Sequence, residues 1–320
     1  MHCQIKFGGV DSRINQIIYY GAPGTGKSYK IENEVLKDVP NDAVTRVTFY
    51  PDYYSDFVGG LRPKKSGDDI TYEFSPGPFA RALQQSFHSP TFLVIEEINR
   101  GNPAAIFGDI FQLLDRREDG RSRYEITNED LYEYLSEDVN IAEQLTTNKV
   151  FIPANLHILC TMNTADQNVF VLDTAFKRRF RMEYVPIDFS PLYKDDELAG
   201  YIKTGYDTFK GSKDVKEIFA DAGGVVDTSE RDWPTFAKFV NAMIDKANAD
   251  GVRISEDKKL GPFFVGTDEL EDRQKFADKV LYYLKQDVFK YEEVLNKSYE
   301  DLYDEYVGGG LDIFRIFSND

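Results

Sequence analysis

Cysteine is nearly absent. Cys3 and Cys160 are the only two in 320 residues, and they stand far apart, so no disulfide framework can organise the fold. Histidine is almost as scarce: His2, His88 and His157 cannot be combined with those cysteines into a zinc-binding spacing. Long apolar runs are missing as well. The longest are four or five residues, such as Phe92-Leu93-Val94-Ile95, against the roughly 18 that a membrane-spanning helix needs. The N-terminus lacks the basic-then-apolar profile of a secretory signal. The expectation is a chain with no membrane span, in a reducing, cytoplasmic setting. Positive charge is short too, with 38 Lys and Arg against 55 Asp and Glu and a formal net charge of -17. Coating nucleic acid through bulk charge rests on clustered cations and counterion release, so that class is excluded, while a local basic patch is not.

Aromatic residues are plentiful: 24 Phe and 20 Tyr contribute to a hydrophobic content of 42%, enough to bury a large core and to exclude wholesale disorder. Cys160 lies in the apolar run Ile158-Leu159-Cys160 and is expected in that core rather than as a reactive thiol.

Through the first 190 or so residues, short apolar runs alternate with helical patterns. Gln16 to Tyr20, Val44 to Tyr50, Phe92 to Ile95 and Leu156 to Cys160 read as strands. Lys27 to Leu36, Phe79 to Phe87 and Pro103 to Leu114 read as helices, the last with Pro103 near its start. Such alternation predicts an α/β fold with a parallel sheet covered on both faces. Past Pro186 strand-like runs give way, apart from Gly223-Gly224-Val225-Val226, to helical patterns over Asp232 to Ala249 and Glu269 to Val307. The expected division is an α/β domain over residues 1–188 and a smaller, mainly helical domain over 189–320. Trp233, the only tryptophan, is expected to pack.

Directly after the first strand, Gly21-Ala22-Pro23-Gly24-Thr25-Gly26-Lys27-Ser28 fits G-x-x-x-x-G-K-[ST]. Glycines let successive backbone N–H groups converge on phosphate oxygens, and the helix that follows adds the positive end of its dipole. In that chemistry Lys27 reaches the terminal phosphates and the Ser28 hydroxyl ligates Mg²⁺. The third strand ends in Glu96-Glu97, which places Glu96 on the metal side and Glu97 on the attacking water. The fourth runs into Thr161-Met162-Asn163-Thr164-Ala165-Asp166, where Asn163 can hold the water and sense the terminal phosphate. Lys177-Arg178-Arg179 reads either as cations at a helix C-terminus or as the source of an arginine finger.

Taken in order, these blocks resemble the AAA+ motor domain of McrB-type proteins. The resemblance is carried by Tyr20 to Ser28, by Phe49-Tyr50-Pro51 leading to Tyr54 through Pro63, and by Glu97-Ile98-Asn99-Arg100-Gly101-Asn102. It continues through Met162-Asn163-Thr164-Ala165-Asp166 and through Asp173, Ala175 and Arg178-Arg179-Phe180. Weaker likeness extends into Leu260-Gly261-Pro262-Phe263-Phe264 and Lys279 to Leu284. The resemblance implies an AAA+ P-loop NTPase with a helical lid, binding GTP or ATP with Mg²⁺ and assembling into a homo-oligomeric ring, a hexamer. It implies that Asn163 and Asp166 organise the water beside Glu97, and that Arg178 or Arg179 reaches the nucleotide of the next subunit. The pattern departs at three positions: Glu96 stands for the usual Asp, Gln167 for an Arg after Asp166, and Lys177 for the first Arg of a triplet.

No nuclease constellation is found, so cleavage is expected to belong to a McrC-like partner. A DNA-reading domain often precedes the motor in this family, whereas here the phosphate loop begins at residue 21. Either the chain leaves DNA recognition to another protein or it is the motor domain of a longer one, so contact with DNA is expected only indirectly or through another domain or subunit. Three functions stay open at this point: a GTP-using restriction or phage-defence motor, an ATPase that remodels a protein complex, and a nucleotide-gated assembly module.

Overall fold

The computed structural model describes residues 15–51, 56–66, 69–164, 169–203, 206–210, 231–290, 295 and 297–317. Asp166, Gln167, Tyr54, Ser55, Cys3, His2 and the Gly223–Val226 patch lie outside the described residues. By its internal contacts the chain divides into two compact units. One comprises the stretch ending at Tyr20 together with Lys27–Tyr184, and the other Gly21–Gly26 together with the chain from Val185 onward.

Nine strands are described: β1 (Gln16–Gly21), β2 (Val44–Thr48), β3 (Gly59–Ser66), β4 (Asp69–Pro76), β5 (Thr91–Glu96), β6 (Ile126–Thr127), β7 (Lys149–Val150), β8 (Leu156–Asn163) and β9 (Arg181–Tyr184). Five of them form the main sheet, in the order β2-β5-β8-β1-β9. The pairs β2–β5, β5–β8 and β1–β9 are parallel, as the alternation of strand and helix predicts. The inner strands are continuous apolar runs because helices cover both faces; in β5, Thr91 to Ile95 are all buried. Cys160 is buried and unoxidised in β8.

The first unit's core is dense in phenylalanine. Phe57 and Phe107 lie 5.0 Å apart between ring centroids, Phe107 and Phe176 5.5 Å, and Phe49 and Phe57 5.2 Å. The tilted and edge-on arrangements suit the ring quadrupoles. The helix expected over Pro103 to Leu114 is two pieces, an α-helix Pro103–Phe107 and a 3₁₀ stretch Gly108–Leu114. Gly108 sits at φ 47°, a left-handed conformation that costs glycine nothing and ends the α-helix there.

In the second unit, Asp232 caps the helix Trp233–Ala249 by accepting from the Thr235 N–H at 2.9 Å. Trp233 is buried and donates its indole N–H to the Pro262 carbonyl at 2.8 Å. The helical pattern over Glu269 to Val307 becomes several short pieces: Thr267–Glu271, Arg273–Phe276, the π-type turns Ala277–Leu281 and Leu284–Val288, and Tyr299–Val307. The apolar stripe Phe276, Val280, Leu281, Leu284 and Val288 is buried as its spacing requires. Among the described residues, no helix is long and apolar enough to cross a membrane.

Candidate active site

The carboxyl end of the sheet gathers acidic, hydroxyl and guanidinium groups from three strands and the helix after the phosphate loop. The β5–β8 register pairs Ile95 with Cys160, which brings Glu96 beside Thr161. Glu96 Oε2 accepts from the Ser28 hydroxyl at 2.9 Å and from the Thr161 hydroxyl at 2.6 Å. Its other oxygen pairs with Arg46 on β2, whose guanidinium also engages Glu32.

Glu97 leaves the strand at φ 53°, one of two non-glycine residues with a positive φ among those described. A side chain in that region is strained and persists only where its surroundings hold it. Here the Glu97 N–H donates to Thr161 Oγ1 at 3.0 Å and the Ile98 N–H to the Thr161 carbonyl at 2.9 Å. The Glu97 carboxylate accepts from Arg100 Nη1 at 2.6 Å. Asn99 is buried and donates from Nδ2 to the Asn163 carbonyl at 2.7 Å, while its own carbonyl accepts from the Phe170 N–H at 2.7 Å. The turn after β5 is thus stitched to the end of β8, and Asn99 ties down both ends of the segment from Asn163 to Phe170.

Within the second unit, the phosphate loop is held by the stretch that follows Leu260. The Gly261 N–H donates to the Pro23 carbonyl at 3.1 Å and the Phe263 N–H to the Gly24 carbonyl at 2.8 Å. Gly24, at φ 71°, lies against the Phe264 backbone, where a Cβ would collide with the Phe264 amide. Glycine is required there by conformation and by space alike. Inside the loop the Thr25 hydroxyl donates to the Ala22 carbonyl at 3.1 Å. Lys27 and Ser28, at the start of the helix Lys27–Lys30, belong to the first unit. In the second unit Lys259 pairs with Asp245 and Glu256 at 2.6 Å each.

The amino end of the same sheet is cationic. A cleft of about 300 Å³ there is lined by Gln16, Asp115, Arg116, Arg178, Arg179 and Arg181, among others. Arg116 is half-buried among acceptors: Gln16 Oε1 at 2.5 Å and the carbonyls of Gly120, Pro153 and Leu156 at 2.9, 3.1 and 3.0 Å. With no carboxylate against it, burial pushes its guanidinium pKa down to about 9. Arg179 is 8% exposed, pairs with Asp115 at 2.7 Å and stacks over Phe111 at 4.0 Å. Arg178 is exposed and forms no ion pair among the described residues. Two arginines adjacent in sequence are therefore in different situations, one locked and one available.

Residues 16–180 match the family model described as "AAA domain (dynein-related subfamily)". The chain is 37% identical to the type II restriction enzyme BsuMI component YdiS of Bacillus subtilis (strain 168), over 95% of this chain and 89% of that protein. The chain belongs to the AAA+ family, in its McrB-type branch. It is 28% identical to the type IV methyl-directed restriction enzyme EcoKMcrB subunit of Escherichia coli (strain K12), over 58% of this chain and 38% of that protein. This McrB-type chain thus matches nearly the whole of one relative and well under half the length of the other.

Four residues of this AAA+ site escaped the sequence reading: Arg46, Asn99, Arg100 and Thr161 are not singled out there as acting. Arg46 carried a faint signal, a cation inside a β-branched strand. Thr161 carried none, because a threonine in a strand is ordinary and its two partners lie 64 and 65 residues away.

Proposed function

We propose that this McrB-type chain is a ring-forming nucleoside triphosphatase, using GTP, that acts as the motor of a restriction or phage-defence complex with a separate McrC-like nuclease subunit in the cytoplasm. The observation that carries the reading is the position of Arg178, exposed at the opposite end of the sheet from Ser28, Glu96 and Glu97. Gln16 to Tyr20 spans roughly 13 Å at the usual rise of a strand. A guanidinium at the amino end of β1 suits the nucleotide of a neighbouring copy, and a ring of like subunits supplies one to every site. The names of both relatives, one a component and the other a subunit of a restriction enzyme, support a multi-protein assembly.

In this reading the backbone amides of Gly21 to Gly26 cradle phosphate oxygens and Lys27 neutralises them. Ser28 and Glu96 suit Mg²⁺: they offer a hydroxyl and a carboxylate side by side, both hard oxygen donors. When bound, the ion screens the charge that develops between the β- and γ-phosphates. Glu97 polarises the attacking water, and Asn163 and Asp166 orient it. The contact with Arg100 holds the Glu97 carboxylate before a nucleotide arrives.

The discriminating experiment measures GTP and ATP turnover, each with and without a cognate McrC-like subunit. GTP turnover stimulated by that subunit is the expected result. Turnover of ATP alone would favour a remodelling ATPase, and binding without turnover an assembly module.

A further inference from the structure

We infer that Thr161 is the positioning residue for both carboxylates at the end of β5, orienting Glu96 toward Ser28 and holding Glu97 in its left-handed turn. The inference rests on the hydrolytic reading of Glu96 and Glu97 proposed above.

A threonine hydroxyl has one proton to give and two lone pairs with which to accept. Thr161 uses both functions on adjacent residues: the proton goes to Glu96 Oε2 at 2.6 Å, and a lone pair receives the Glu97 N–H at 3.0 Å. The first is a charge-assisted bond, the stronger kind. Thr161 is 3% exposed, so water is poorly placed to substitute for its hydroxyl. Its β-branch restricts χ1, and the hydroxyl direction is thereby set by the strand itself.

The consequence for Glu96 is orientation. With Oε1 paired to Arg46 and Oε2 bonded to Thr161, the carboxylate has little freedom to rotate away from Ser28. The Ser28 proton is directed at Glu96, which leaves the lone pairs of the Ser28 oxygen for a cation. The consequence for Glu97 is a backbone constraint. Three bonds tie the turn to β8, through Thr161 Oγ1, the Thr161 carbonyl and the Asn163 carbonyl, and only the first depends on the side chain at 161. Replacing that side chain therefore loosens the acidic pair while the strand pairing remains.

The test uses the full chain with Thr161→Val, which keeps the shape and removes the hydroxyl, Thr161→Ser, which restores it, and Glu97→Gln. Turnover is titrated with Mg²⁺. The affinity for a fluorescent nucleoside triphosphate analogue is measured separately with Mg²⁺ and with EDTA. For Thr161→Val, kcat at saturating nucleotide and Mg²⁺ should fall about 10- to 100-fold, the range seen when a ligand's supporting partner is removed. The half-saturating Mg²⁺ concentration should rise, and the Mg²⁺-dependent gain in nucleotide affinity should shrink. The affinity in EDTA should stay at the wild-type value, and Thr161→Ser should recover both kcat and the Mg²⁺ response. Wild-type kcat and Mg²⁺ response in Thr161→Val would overturn the inference, as would a folded Thr161→Ser as impaired as the valine variant. Should the valine variant not fold, Thr161→Cys takes its place, and an unchanged kcat in that variant is equally fatal. If Glu97→Gln turns over like the wild type, the hydrolytic reading itself has failed, a result separate from any outcome at Thr161.

Discussion

The two ends of one parallel sheet differ in how their charged groups are held. At the carboxyl end, Glu96 is restrained by Ser28, Thr161 and Arg46, three residues from different elements. At the amino end, Arg116 and Arg179 are consumed by carbonyls and by Asp115, Arg181 reaches Glu183 at 3.3 Å, and Arg178 forms no ion pair among the described residues. One end is organised before any ligand arrives, and the other presents an exposed cation with no ion pair among the described residues. In the ring-forming function proposed above, this difference would separate a site built by folding from one completed by assembly. It also bears on the net charge of -17: an acidic chain can still concentrate four arginines around one cleft.

The largest expected effect breaks the comparison at its amino end. Arg178→Ala should lower turnover about 10³- to 10⁵-fold, the contribution of an arginine supplied across an interface, with no change in thermal midpoint. Mixing it with Lys27→Ala should restore part of the activity; well-assembled mixtures that stay inactive would mean that Arg178 does not act in trans. At the carboxyl end, Glu97→Gln should cost about 10²- to 10⁴-fold in kcat while nucleotide binding persists. A rate close to wild type would move the chemistry off β5.

A smaller effect sharpens the contrast between neighbouring arginines. Arg179→Ala removes a largely buried ion pair and the packing over Phe111, and should destabilise the fold by about 2 kcal/mol in chemical denaturation. Turnover per folded molecule should be retained; lost turnover at unchanged stability would exchange the roles of Arg178 and Arg179. The smallest effect at neutral pH concerns His157, stacked on Phe92 at 4.8 Å, with Nδ1 buried and without a hydrogen-bond partner among the described residues. Burial first, and Arg116 second, push its pKa from 6.5 down to about 4. The fold holds the neutral ring, so its contribution is fully present above pH 6.5 and is lost as pH falls through about 4. The loss should be on the order of 3 kcal/mol, and His157→Phe should flatten the stability curve across that window. An identical slope in the variant would assign the acid sensitivity to other groups.

Much of the fold was legible because its signals are local. β-branched runs marked β1, β2, β5 and β8, and the glycine spacing marked the phosphate loop. β9 was not legible: Arg181-Met182-Glu183-Tyr184 is short and half charged, and it is a strand because β1 offers a free edge. The antiparallel ribbon β3–β4 was missed for a related reason. Pro63 is a residue that weakens a strand signal, and Leu61, Ile70 and Tyr72 are more than half exposed rather than alternating into a core.

By itself, the sequence determined the chemical inventory of this protein: a phosphate loop, an acidic strand end, an Asn at the next strand end and a pair of arginines. Each is a short pattern whose meaning depends on residues a few positions apart. Only the tertiary structure decided which members of that inventory are restrained and which are available. It separated Arg178 from Arg179 through Asp115, and it brought Thr161 between two carboxylates 64 and 65 residues away. Hydrogen bonds and ion pairs act over a few ångströms whatever the separation along the chain, so the register of the sheet selects those partners.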